Sequence, residues 1–182
     1  PRSRARMAST ESVPISVPIF WPDSRPLRTA LITHSDAART YPVGNISKEA
    51  ADLIEVTRQS FFEGIKFARA GNHLHDISNA IDDYCRKRGY GVVRQLVGHG
   101  IGTHLHEDPS IPNYHQWRRG IKLCPGMTLA IEPMIAMGDW RVSVLEDGWT
   151  VVTRDHSLCA HYEHTVLITD SEHVILSPIQ PE

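Results

Sequence analysis

The sequence is poor in cysteine and has no long apolar run, and both absences exclude classes of protein. Its 182 residues include three cysteines, Cys85, Cys124 and Cys159, at wide spacings and without a Cys-x-x-Cys pair. This argues against a disulfide framework and against a thiolate zinc site. No apolar run approaches the roughly 18 residues of a transmembrane helix, and no apolar block typical of a secretory signal is found near the N-terminus. We therefore expect a cytoplasmic protein.

Net charge is also nearly absent, since 19 basic residues face 21 acidic ones and the net charge is −2. This balance gives no global electrostatic reason to expect binding of nucleic acid or of a membrane surface. The 41% hydrophobic and 22% charged residues are typical of a globular protein. A chain of this length fits one domain with a real core, so any charged ligand must be recognised at a local site.

The character of the sequence changes near Asp36. Residues 1–34 contain five prolines and no clean period of 3.6 or 2, so we expect an atypical or disordered N-terminal segment there. Residues 35–182 contain patterns typical of helices and strands, which predicts one folded domain.

Two helices followed by strands are predicted after Asp36. Ser47 can cap a first helix that ends at Gly71, and a second helix is predicted from about Asp76 to Gly89. A hairpin turn is predicted at 146–148, where Gly148 follows two acidic residues. The predicted strands are 92–96, 127–134, 141–145, 149–153, 162–168 and 174–176. This order, with an antiparallel sheet after the helices, indicates an α+β fold.

Three polar residues stand in apolar stretches that contain glycine or proline: His99, Glu132 and Glu163. One imidazole and two carboxylates form a suitable set of ligands for a divalent cation. If both glutamates lie on strands, the alternation of side chains directs each one away from an apolar face. The alternative for either glutamate alone is a solvated position on the outer face of a sheet.

The glycine-rich segment around His99 is followed by a predicted loop that contains His104, His106 and Glu107. Its glycines allow the backbone to come close to a ligand. A neutral imidazole at His106 could hydrogen-bond a substrate amide or stabilise a developing oxyanion. The alternative is a turn in which His99 packs without a chemical role.

Four stretches together resemble the pita-bread metallopeptidases, and within them the type I methionine aminopeptidases. They are SDAARTYPVG from Ser35, GHGIGTHLHEDPSIPNY from Gly98, PGMTLAIEPM from Pro125 and DGWTVVTRDHSLCAHYEHT from Asp147. The likeness covers roughly residues 35–178. It implies an N-terminally truncated pita-bread fold, an antiparallel sheet covered by helices, and a metallopeptidase catalytic domain over residues 35–182.

The resemblance also implies a function, namely removal of the N-terminal initiator methionine through attack by a metal-activated water. The substrates would be peptides or nascent polypeptides that begin with Met, with the ribosome as a nearby source. The roles that it implies fall on seven residues: Asp36, His99, Glu132 and Glu163 as metal ligands, Glu132 also as general base, His106 as a catalytic residue that contacts the substrate, and His106, Trp149 and His161 as substrate-binding residues. His161 stands where the family usually has Gln.

One departure from the family concerns the metal count. The family holds two divalent ions with two Asp, one His and two Glu, and the position of the first Asp is Arg25 here. The resemblance therefore implies one tight ion, which could be manganese, iron, cobalt or zinc, and a weak or empty second site. Three explanations stay open: a frameshifted or deleted gene, a truncated paralogue, or Asp23 acting as a substitute ligand. The alternative functions are a catalytically impaired binding protein on the same fold and an X-Pro peptidase.

Overall fold

The computed structural model describes residues 34–177, together with two short strands before them. These strands are β1 (Ile15–Ser16) and β2 (Ile32–Thr33), which pair in antiparallel fashion. The expectation of a disordered segment over 1–34 falls almost entirely outside the described residues. Asp23 and Arg25 lie outside them as well.

Two helices follow the first strand of the main sheet, as predicted, but their ends differ. Helix α1 (Lys48–Ile65) is capped by Ser47, whose hydroxyl accepts a hydrogen bond of 3.2 Å from the Ala50 N–H. It ends before Gly71, because the chain tightens into i to i−3 hydrogen bonds after Ile65. Helix α2 (Leu74–Arg86) begins earlier than predicted, since the Asp76 carboxylate accepts from the His73 N–H. No helix in the described part is long and apolar enough to cross a membrane.

The main sheet has eight strands, all paired in antiparallel fashion, in the order β4-β8-β11-β7-β5-β6, with β3 and β12 also paired to β11. The predicted α+β class is therefore confirmed. The remaining strands form a separate hairpin, β9 with β10, around the predicted turn at 146–148. The strands are β3 (Ala37–Arg39), β4 (Gly91–Val92), β5 (Gly98–Gly100), β6 (Glu107–Ile111), β7 (Thr128–Ile131), β8 (Met134–Ala136), β9 (Val142–Val144), β10 (Val151–Thr153), β11 (Cys159–Ile168) and β12 (His173–Ile175).

The predicted strand 127–134 is in fact two strands that both pair with β11. Pro133 has no N–H to give to a ladder, and the strand is interrupted at this residue and Glu132. We predicted that Glu132 lies on a strand, and this was wrong. It lies at the junction of β7 and β8. This junction is opposite the middle of β11, where Pro133 accepts a hydrogen bond from the Tyr162 N–H.

The segment after His99 was predicted as a loop, yet it contains β6, which pairs with β5 across a register shift. The glycines of β5 permit close approach of strands and not only of a ligand. A Cβ atom at Gly98 would collide with the Ala130 carbonyl, and one at Gly100 with the Asp108 carbonyl. Glycine is thus required here by the sheet itself.

Both helices pack on one face of the sheet. Phe61 from α1 and Ile77 from α2 share a buried cluster with side chains of β7 and β11, among them Leu129, Ile131 and Val166. This agrees with the predicted alternation, in which the side chains of Glu163 and its neighbours two residues away point to the opposite face. The polar site described below therefore lies on the face that the helices leave free.

Candidate metal centre

Four neighbouring strands bring the four predicted ligands to one place. His99 lies on β5 and pairs with Ala130 of β7, whose end carries Glu132. Glu163 lies on β11, the next strand, and Asp36 immediately precedes β3 on the other side of β11. Residues far apart in sequence are thus adjacent across the sheet.

The ligand atoms form two overlapping groups. Asp36, His99 and Glu163, here called the first group, have ligand atoms that all lie within 4.8 Å of one another, and the same holds for Glu132, His161 and Glu163, the second group. His99 Nε2 is 3.8 Å from Glu132 Oε1, so the two groups are in contact. Nitrogen and carboxylate oxygens at this spacing could hold first-row divalent ions.

The orientation of the His99 ring is determined by its own strand. Its Nδ1 is 2.8 Å from the Gly100 carbonyl oxygen. In the neutral imidazole, Nδ1–H donates to that carbonyl, which leaves the lone pair of Nε2 directed toward the carboxylates. This is the tautomer that a metal-binding histidine needs, with its second nitrogen anchored to the backbone.

Glu163 has the most unusual environment of the cluster. Glu163 is only 2% exposed, and its Oε1 has no hydrogen-bond partner in the described part of the chain. Burial, with the neighbouring charges of Glu132 and Asp36, raises the pKa of the Glu163 carboxyl to about 9. A buried carboxylate without a partner is costly, and a bound divalent cation would remove that cost. The residues present therefore fit a metal ion.

Asp36 is positioned through Thr165 on β11. The Thr165 hydroxyl accepts from the Asp36 N–H at 2.8 Å and donates to the Asp36 carbonyl at 3.0 Å. We expect Thr165→Val to lower the free energy of unfolding by about 1–3 kcal/mol, because two buried backbone groups lose their partner. Thr165→Ser, which keeps the hydroxyl, is the matched control in urea denaturation. Equal stability of the two variants would contradict this role.

His164, which directly follows Glu163, has a structural role. His164 is buried, with Nδ1 2.6 Å from the Ser177 carbonyl oxygen and Nε2 3.0 Å from the Tyr162 hydroxyl. Both ring nitrogens are therefore engaged within the protein. Burial also lowers the pKa of His164, which favours its neutral form.

Two of the predicted substrate-binding residues lie at the surface. His106 is exposed, and its ring centroid is 4.3 Å from that of His99, so it borders the cluster. Trp149 is 84% exposed on the β9–β10 turn, where its backbone N–H donates to the Asp147 carboxylate. Their contact with a substrate stays a prediction.

The sequence alone did not identify His161 as a member of the cluster's ligand set. We predicted a substrate-binding role, whereas its Nε2 is 3.3 Å from Glu132 Oε2 and 4.0 Å from Glu163 Oε2. The alternation along the strand had placed His161 and Glu163 on the same face, but it could not give the distance from His161 to Glu132.

Comparison with known proteins gives the family of the chain. The profile of Metallopeptidase family M24 matches residues 32–170. This chain belongs to family M24. It is 56% identical over 147 residues to "Methionine aminopeptidase" of Clostridium perfringens, covering 81% of this chain and 59% of that protein. It is 49% identical to "Methionine aminopeptidase 1" of Bacillus subtilis, covering 80% of this chain and 59% of that protein.

Solved structures extend the comparison to the fold of this M24 chain. The methionine aminopeptidase of Thermotoga maritima superposes with a TM-score of 0.78 at 49% identity, covering 81% of this chain and 59% of that one. The prolidase of Pyrococcus horikoshii, at 22% identity, has a TM-score of 0.64 over 82% of this chain and 38% of that one, which shows the fold alone. The predicted pita-bread fold is thereby confirmed. The M24 chain spans less than two thirds of the length of each of these relatives.

Proposed function

We propose that this chain is a metal-dependent aminopeptidase that removes methionine from the N-terminus of peptides. The observation that carries the proposal is the cluster of Asp36, His99, Glu132 and Glu163, which lie on or directly beside four neighbouring strands. Glu163 Oε1 is buried and has no hydrogen-bond partner among the described residues, and His99 Nε2 lies 3.8 Å from Glu132 Oε1. The identity to relatives named methionine aminopeptidase supports methionine as the residue removed.

The four residues would hold a divalent ion such as manganese, iron, cobalt or zinc. When bound, such an ion polarises a carbonyl and lowers the pKa of a coordinated water. Glu132 would receive the proton that the attacking water gives up. Its side chain is 14% exposed whereas that of Glu163 is 2% exposed, so Glu132 is the more accessible of the two bases.

His106 would contact the substrate, since its exposed ring borders His99 at the edge of the cluster. A neutral imidazole there can donate a hydrogen bond to a carbonyl oxygen on which charge develops. Trp149 would wall the methionine pocket. The substrates would be peptides or nascent polypeptides in the cytoplasm that begin with Met, with the ribosome as a nearby source.

The test is hydrolysis of a Met-Ala-Ser peptide by the purified chain with added manganese or cobalt. We expect release of free methionine, and we expect Glu132→Ala to abolish it because the proton acceptor is lost. The variant also controls for contaminating peptidases, whose activity it would leave unchanged. An Xaa-Pro peptide in parallel tests the X-Pro peptidase alternative. Metal-bound protein without turnover on either peptide would favour the alternative of a catalytically impaired binding protein.

A further inference from the structure

We propose that His161 is itself a metal ligand and completes a second divalent-ion site with Glu132 and Glu163. This inference rests on the proposed function and changes its metal count. By resemblance, the second ion would keep only Asp36 and Glu163, the two positions that contact both ions in the family. The second group offers that ion a different set of ligands, namely Glu132 and Glu163 with the nitrogen of His161.

The first argument is the state of the His161 ring. Its Nε2 is fully buried yet has no hydrogen-bond partner in the described part of the chain. Glu132 Oε2 is 3.3 Å from it, but the geometry is not that of a hydrogen bond. A buried imidazole nitrogen aimed at two carboxylates without a hydrogen bond is poorly explained by structural packing. His164 shows the contrast, because both of its nitrogens are engaged.

The second argument is the position of the backbone behind His161. Thr40 makes three contacts with it: its N–H donates to the His161 carbonyl at 3.0 Å, and its hydroxyl donates to that carbonyl at 3.1 Å and accepts from the His161 N–H at 2.9 Å. The backbone N–H and the carbonyl of His161 are therefore both fixed by Thr40. Rigid placement of this kind is what a metal ligand requires.

The third argument is the ligand set itself. Bonds of about 2.0–2.2 Å to nitrogen and oxygen place neighbouring ligand atoms about 3 Å apart. The distances of 3.3 and 4.0 Å from His161 Nε2 to the two carboxylates are close to this spacing. Glu163, whose Oε1 has no hydrogen-bond partner among the described residues, belongs to both groups and would contribute to both sites. The nitrogen ligand favours zinc, cobalt, iron or manganese over magnesium or calcium.

The experiment uses the whole chain labelled with nitrogen-15 in histidine and titrated with Zn²⁺. We expect two ions per chain, and a metal-induced shift of the Nε2 resonances of both His99 and His161. His161→Gln assigns the resonance and should reduce the count from two ions to one. An unmoved His161 resonance at saturation, or two ions bound by folded His161→Gln, would overturn the proposal.

A matched control addresses a separate cluster of Asp82, Asp83 and His115. His115→Gln should leave the two-ion count and the His161 shift unchanged, and a count that falls in this variant instead of in His161→Gln would refute the inference. Peptide hydrolysis is scored separately. A shifted His161 nitrogen without turnover would support the site and contradict the proposed function, whereas turnover with an unmoved nitrogen would do the reverse.

Discussion

Replacing His99 by alanine should remove the tight ion and, with it, peptide hydrolysis. His99 supplies the only nitrogen of the first group, and its Nε2 is held toward the carboxylates by the Gly100 carbonyl. Loss of a partner behind a ligand already costs about 10–100-fold in metal affinity. Loss of the ligand itself should exceed that range. The measurement is calorimetric titration of the metal-free protein with Mn²⁺ or Co²⁺, with methionine release measured on the same samples.

His104→Ala is the matched control for this experiment. The His104 side chain is 82% exposed and contacts Glu107 instead of the cluster. We expect its metal affinity and its turnover to remain near those of the unmodified chain. An affinity in His99→Ala within a few-fold of that in His104→Ala would show that the first group does not form the tight site. Circular dichroism of both variants separates loss of the ligand from loss of the fold.

Much of the fold could be predicted from local sequence patterns, and the failures share a physical cause. The periods of both helices, the Ser47 cap of α1 and most of the longest strand, β11, are local signals and were predicted correctly. The end of α1 and the start of α2 were not. Strands β5 and β6 were missed because glycine and proline within them are unfavourable in isolated strands. At Gly98 and Gly100 the requirement comes from neighbouring strands, which no local pattern contains.

The same limit applies to the cluster. Resemblance indicated Asp36, His99, Glu132 and Glu163, and alternation indicated the face of the sheet on which Glu163 lies. Neither could show that Glu132 lies at a strand junction, facing an imidazole on each side at 3.8 and 3.3 Å. Side-chain distances across four strands depend on register and on the interruption at Pro133. For this reason His161 emerged as a ligand candidate only from the structure.

Glu163→Gln should have opposite effects on stability and on metal binding. In the metal-free protein the pKa of Glu163 is raised from 4.5 to about 9, first by burial and then by Glu132 and Asp36. The folded chain therefore keeps a proton that the unfolded chain releases. Between these two pH values the free energy of unfolding should fall as pH rises, by up to about 1.4 kcal/mol per pH unit. The neutral amide of glutamine should remove this slope and make the metal-free variant more stable at pH 8.

Metal binding should respond in the other direction, because an ion requires the carboxylate form of Glu163. In the unmodified chain, binding should release a proton near pH 7, so affinity should rise with pH and the calorimetric enthalpy should depend on the buffer. Glu163→Gln should lose both ions, since Glu163 belongs to both groups.

Urea denaturation at pH 6 and pH 8 with a chelator measures the effect on the stability of the metal-free protein. The control is Glu146→Gln, which alters an exposed residue of the hairpin turn. If the metal-free Glu163→Gln variant were less stable than the unmodified chain at pH 8, Glu163 would contribute to folding. Its burial would then not be a cost to stability that metal binding offsets.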